Sequence, residues 1–134
     1  MTVAYLRSDV VILASAVSGA IHAALAPGHF DEGAGQGLGF VLAAAALAGV
    51  VVWLTRRPGS RRALVAAAAL FAGLIGGYAL ATTTGLPVLH PGPEPLDGLA
   101  LATKAIEAVG LLAATSLLRC FVAVPLPQPK GTPT

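Results

Sequence analysis

The sequence predicts an all-α integral membrane protein, a four-helix bundle with both termini in the cytoplasm. Of its 134 residues, 56% are hydrophobic and only 10% are charged, whereas soluble domains carry about a quarter charged residues. The apolar residues form four blocks of membrane-spanning length, which are separated by proline, glycine and charge. We therefore expect a multi-pass protein of the cell membrane, whose surroundings are the lipid bilayer. A net charge of only +2 gives no basis for nucleic-acid binding.

The first two predicted helices cover residues 9–26 and 38–54. Pro27 lacks a backbone donor and Gly28 relaxes the chain, so we expect the first helix to break or bend there. The glycine-rich segment 29–37 is then expected to be a loop. The first block also fits the three-part pattern of a signal peptide, but its apolar run is long, and we interpret it as a retained helix. Trp53 fits an interfacial aromatic belt at the end of the second helix.

The third and fourth predicted helices cover residues 63–81 and 97–124. The third contains small residues spaced by four, a pattern that lets another helix approach closely. We expect this ridge, above all Gly73 and Gly77, to pack inside the bundle or against a homo-oligomer or a larger membrane complex. Asp97 is expected to begin the fourth helix. Residues 1–124 are predicted to be one domain and 125–134 a disordered tail.

The arginines predict the orientation of the bundle. The turn between the second and third helices holds four of the eight basic residues, Arg56, Arg57, Arg61 and Arg62. Because short cytoplasmic loops are enriched in Lys and Arg, this turn is predicted to be cytoplasmic. Four spans then place both termini on the same side. The other two loops lack Lys and Arg and are predicted to face outward.

A polar stripe runs along the first helix. Ser8, Ser15, His22 and His29 recur every seven residues, and seven residues bring a helix back to within about 20° of its starting direction. By helix rise, His22 and Glu107 both lie about 10 Å below the outer surface. An ionisable group at such depth costs about 2.5–3.5 kcal/mol on insertion scales. We therefore expect both side chains to face the interior of the bundle, where they can meet.

Three interpretations of these residues stay open. Imidazole and carboxylate ligands suit a transition metal such as copper, zinc or iron, and the candidate ligands are His22, His29, Glu32, Glu94 and Glu107. On an unbroken helix the two histidines lie about 10.5 Å apart, so they share a metal only if the helix ends between them. Haem is a lesser alternative because no C-x-x-C-H motif is present.

The second interpretation is a pocket for a small polar ligand such as a quinone or a lipid head group. Ser18, Thr83 and Lys104 would line it together with His22 and Glu107. The third is a purely structural network, in which these groups satisfy each other and specify the packing of the helices.

The sequence resembles a known set of proteins in its patterns His22-x6-His29-x2-Glu32 and Thr83-Thr84-Gly85-Leu86-Pro87 … Glu94 … Glu107. It is similar to small, largely uncharacterised four-helix membrane proteins that occur chiefly in high-GC Gram-positive bacteria. In that set an acidic residue often precedes the second histidine, where this chain has Gly28. The resemblance implies the four-helix fold and the same outer-face residues, without implying a cofactor.

The functional hypothesis that follows is an outward-facing polar site that binds a metal or a redox-active ligand. One alternative is a non-catalytic accessory or assembly subunit of a larger membrane complex. A further alternative is a small-ligand or proton-coupled transporter that acts as an oligomer. The residues leave open whether the protein is an enzyme.

Overall fold

The computed structural model describes residues 2–86, 92–93 and 95–122. These residues form four α-helices, namely α1 (Thr2–Glu32), α2 (Ala34–Arg56), α3 (Arg61–Thr83) and α4 (Gly98–Val122). All four are long and apolar enough to cross a membrane. The all-α class and the four predicted helices are therefore confirmed for the described part of the chain. The predicted tail 125–134 and the candidate ligand Glu94 lie outside the described residues.

The first helix does not end at residue 26, which corrects the prediction made from Pro27 and Gly28. Pro27 lies inside α1, and the expected loop 29–37 shrinks to one residue, Gly33, between α1 and α2. The amide of Gly33 donates to the carbonyl of His29 over 3.1 Å, which completes the last helical turn. One proline removes one backbone hydrogen bond, and tertiary packing commonly outweighs such a local preference.

Contacts between α1 and α2 supply that packing. The ring of Phe30 lies directly over Gly37, where any added Cβ atom would overlap it. The ring of His29 stacks on Phe40 of α2. Both contacts need the segment after Pro27 to stay helical, and so they hold it in that conformation.

The other helix ends follow the sequence more directly. Pro58 and Gly59 form a tight turn, closed by a hydrogen bond from the amide of Ser60 to the carbonyl of Arg57. Gly59 has a φ of 79°, as the third residue of a type II turn requires. Asp97 caps α4 as predicted, since its carboxylate accepts from the amide of Ala100 over 3.0 Å.

The helices run alternately up and down, and α1 packs against both α2 and α4, while α3 packs mainly against α4. Arg7 near the start of α1 contacts Cys120 near the end of α4, with 3.9 Å between Nη1 and Sγ. The arginine turn 57–60 lies at this same end, hereafter the arginine end. His29 lies at the opposite end, the histidine end, because the 23 residues of α2 separate the two.

Apolar packing is concentrated towards the arginine end. The largest fully buried side chains of this region include Phe71, Leu47, Leu54 and Leu64. Gly110 of α4 allows a close approach, because a Cβ atom there would lie 2.6 Å from the Phe71 ring and 2.9 Å from the Cβ of Ala14. The buried polar side chains nearer the histidine end form the site described next.

Candidate functional site

Glu107 is the centre of the polar site and is completely buried on α4. Its Oε2 atom accepts a hydrogen bond of 2.6 Å from Lys104 Nζ, one turn earlier on the same helix. Its Oε1 atom accepts a hydrogen bond of 2.7 Å from Ser18 Oγ on α1. Both carboxylate oxygens are therefore satisfied, as a buried charge requires.

Ser18 connects this carboxylate to His22. The Nδ1 atom of His22 lies 2.8 Å from the carbonyl oxygen of Ser18 and 3.4 Å from its Oγ. Because a carbonyl oxygen can only accept, we assign the proton to Nδ1. The neutral ring then has its lone pair on Nε2. Lys104, Glu107, Ser18 and His22 form a single hydrogen-bonded series, which we call the buried network.

Lys104 closes the network on the side of α3. Its ammonium group lies 5.7 Å from the centre of the Tyr78 ring, within reach of a cation–π interaction. It also lies 3.5 Å from the carbonyl oxygen of Leu74. The Lys104 side chain is 15% exposed, whereas Glu107 is at 0%. Lys104 is thus the more accessible partner of the ion pair.

Phe40 of α2 lies between the two histidines of α1. Its ring centre is 5.3 Å from that of His22 and 3.8 Å from that of His29. Sequence reasoning missed this residue, since the contact depends on how α2 folds back after Gly33. On its far side, His29 Nδ1 lies 3.0 Å from the carboxylate of Glu32. Phe40 therefore separates the buried network from a more exposed His–Glu pair.

The structure brings together four of the predicted site residues. His22 and Glu107 are both buried, as predicted, and they are linked through Ser18 rather than by direct contact. Thr83 is not part of the network, since it is exposed and its hydroxyl group donates to the carbonyl of Ala79 on its own helix over 2.6 Å. The pair His29 and Glu32 lies beyond Phe40.

The predicted metal ligands do not gather into a centre in the described part of the chain. No group of three or more His, Cys, Asp or Glu side chains there could hold a metal ion. Two contacts explain this. Both oxygens of Glu107 are already bonded, and the Phe40 ring lies between His22 and His29. Because α1 continues past Pro27, the second histidine cannot fold back towards the first.

Comparison with known proteins identifies the family. A family model described as Family of unknown function (DUF7475) matches residues 3–118. The chain therefore belongs to this family, and the match includes every residue of the buried network. No curated protein and no solved structure gives a significant match to the chain.

Proposed function

We propose that this member of the DUF7475 family is a multi-pass protein of the cell membrane whose buried network takes up protons from the outer side, as part of proton-coupled transport of a small ligand. One observation carries this proposal. A fully buried carboxylate on a helix of membrane-spanning length is hydrogen-bonded in series from Lys104 Nζ to the ring of His22. Ionisable groups within membrane spans commonly belong to proton relays.

The orientation in this proposal follows the distribution of charge. Arg56, Arg57, Arg61 and Arg62 lie at or beside the turn of the arginine end. The histidine end contains Asp31 and Glu32. Under the positive-inside rule the arginine end faces the cytoplasm. The start of α1 and the end of α4 then both lie on the cytoplasmic side. The buried network lies in the outer half of the bilayer.

The ion pair supplies the first proton step. A proton on Lys104 Nζ can move along the 2.6 Å hydrogen bond to Glu107 Oε2. The N–H bond breaks, an O–H bond forms, and the charged pair becomes a neutral amine and carboxylic acid. The pair has no net charge in either state, because the proton stays within it. The two hydrogen-bonded partners therefore share one proton.

Ser18 provides the second step. When His22 has taken a proton at Nε2 from the outer side, its Nδ1 proton can pass to Ser18 Oγ while the hydroxyl proton of Ser18 passes to Glu107 Oε1. The Oε2 proton of Glu107 returns to Lys104 Nζ at the same time, so the carboxyl group keeps a single proton. The network has then gained one proton from outside: His22 and Glu107 are neutral and Lys104 is charged. The 3.4 Å separation between Ser18 Oγ and Nδ1 must shorten for this step. The incoming proton would reach Nε2 through the 7% of the His22 surface that stays accessible.

Apolar packing lies between the network and the arginine end. Towards the arginine end the bundle is filled by apolar side chains that include Val11, Leu47 and Leu64. This arrangement supports a transporter that loads a proton from outside before changing conformation, rather than an open proton channel. A bundle of four helices would carry out such a cycle as an oligomer, in agreement with the open space beside Gly73 and Gly77 on α3.

Ser18→Ala is expected to disconnect His22 from Glu107. In the wild type, a change of pH should alter the infrared carboxyl band of Glu107 and the 15N spectrum of His22 over the same range, because the two groups share protons. In Ser18→Ala the two transitions should separate. Ser15→Ala is the matched control, since Ser15 is equally buried on the same helix but donates only to the carbonyl of Val11. Identical transitions in both variants would contradict the relay.

Elemental analysis of the same purified samples separates a proton site from the predicted metal site. The proton site requires no metal. Stoichiometric copper, zinc or iron in the wild type that disappears in His22→Ala would count against the proposal and in favour of a metal centre.

A second candidate function is an accessory subunit of a larger membrane complex. One observation favours it: a Cβ atom added at Gly73 or Gly77 would meet nothing within 4 Å. Within the described part of the chain, the α3 surface at Gly73 and Gly77 therefore has open space beside it. Such a ridge suits close contact with a helix of another chain.

A further inference from the structure

An open groove lies along α2 at the arginine end. It has a volume of about 550 Å³ and is lined by Ala48, Gly49, Val52, Trp53, Arg56 and Arg57. These residues form three pairs, each one helical turn from the next. The groove therefore extends about 12 Å along the helix, from two arginines at its mouth to small residues towards the middle of the span.

The floor of the groove is apolar and wide. Gly49 has no side chain, and a Cβ atom built there would meet nothing within 4 Å. Val52 is 49% exposed and Trp53 39% exposed. An acyl chain could therefore lie against the helix beside the indole ring. Tryptophan is commonly found at the membrane interface, where an acyl chain meets its head group.

The mouth of the groove carries uncompensated positive charge. Arg56 and Arg57 are both exposed. Among the described residues, the ion pairs are His29–Glu32 and Lys104–Glu107, so neither arginine is paired with a carboxylate. Guanidinium groups bind phosphate oxygens well, because their donors match two oxygens at once.

We propose that this groove binds an anionic phospholipid. The phosphate group contacts Arg56 and Arg57, and one acyl chain lies over Gly49 and Val52 beside Trp53. Charge complementarity selects the ligand, since a zwitterionic lipid brings no net charge to two unpaired guanidinium groups. The second arginine pair, Arg61 and Arg62, borders a depression of about 430 Å³ in which Val65 is the one apolar residue. It offers charge without an acyl-chain surface and so serves as a matched control.

Trp53 makes the proposal directly measurable, because it is the only tryptophan in the chain. The full chain is reconstituted in phosphatidylcholine vesicles. In separate titrations, a rising fraction of the lipid is replaced by phosphatidylglycerol with brominated acyl chains or by phosphatidylcholine with brominated acyl chains. Bromine quenches the fluorescence of Trp53 on contact. We expect brominated phosphatidylglycerol to reach half-maximal quenching at about a tenfold lower fraction than brominated phosphatidylcholine. Each arginine near the surface adds up to about a fivefold preference for anionic lipid, so two arginines are sufficient for this difference.

The variants decide between a specific site and general surface charge. The double variant Arg56→Gln/Arg57→Gln should quench equally with both lipids, whereas Arg61→Gln/Arg62→Gln should keep most of the preference. Equal quenching of the wild type by both lipids would overturn the proposal, as would a preference lost only in the Arg61/Arg62 variant. Inorganic phosphate should reduce the preference no more than chloride at equal ionic strength. A specific effect of phosphate would indicate a site for the free anion instead.

Discussion

Glu107→Leu is expected to lower the free energy of unfolding by about 3 kcal/mol, because breaking a buried ion pair leaves an uncompensated charge. The ammonium group of Lys104 would lose its carboxylate partner in a position where only 15% of the side chain is exposed. The hydroxyl group of Ser18 would lose its acceptor as well. The measurement is unfolding in sodium dodecyl sulfate, followed by circular dichroism.

The double variant Lys104→Met/Glu107→Leu tests the cause of that loss. Replacing both members of a buried pair by apolar residues is often neutral or stabilising. We therefore expect the double variant to recover most of the stability that Glu107→Leu loses, which a double-mutant cycle would report as strong coupling. A double variant as unstable as the single one would show that the carboxylate acts mainly through other contacts.

This double variant also separates folding from function. It removes both charges that move in the proposed proton step and keeps the four-helix bundle. We expect it to fold and to lack the pH-dependent carboxyl signal of Glu107. The network would then be a site that the fold tolerates rather than one on which the fold depends.

Gly110→Ala is expected to destabilise the protein by about 1–3 kcal/mol, the usual cost of adding a group to a filled core. The new Cβ atom would lie 2.6 Å from the ring of Phe71 and 2.9 Å from the Cβ of Ala14. Phe71 is completely buried, so its ring has little room to move. The substitution would push α4 away from Phe71 of α3 and Ala14 of α1.

Gly76→Ala is the matched control for this substitution. Gly76 also lies within a helix, yet a Cβ atom there would meet nothing within 4 Å. Alanine favours a helix over glycine by about 1 kcal/mol, so this variant should be as stable as the wild type or more stable. Equal stability of the two variants would contradict the tight packing of α4 at Gly110.

The sequence was sufficient to predict the number of helices and the burial of His22 and Glu107, but not that Ser18 would connect them. Charge and hydropathy separate the spans clearly, since transmembrane helices must satisfy their backbone groups internally. Counting helix rise from the membrane ends was enough to bring His22 and Glu107 to a common depth. Both side chains are buried in the bundle, as that placement led us to expect.

Tertiary contacts account for what the sequence did not predict. Pro27 favours a helix end locally, but the packing of Phe30 on Gly37 and of His29 on Phe40 keeps α1 continuous. The insertion of Phe40 between the histidines depends on how two helices meet, which no spacing within one helix encodes. Thr83 satisfies its own hydroxyl group locally, as threonine commonly does in helices.

The most direct test of the proposed proton site is the sidedness of proton exchange at Glu107. Proteoliposomes would be sorted by orientation through a C-terminal tag, and the external pH would be changed while the interior is buffered. The carboxyl band, identified as the infrared difference between wild type and Glu107→Gln, should respond when the histidine end faces the external buffer and stay unchanged when the arginine end does. A response from the arginine end, or none from either end, would contradict a proton site reached from the outer side.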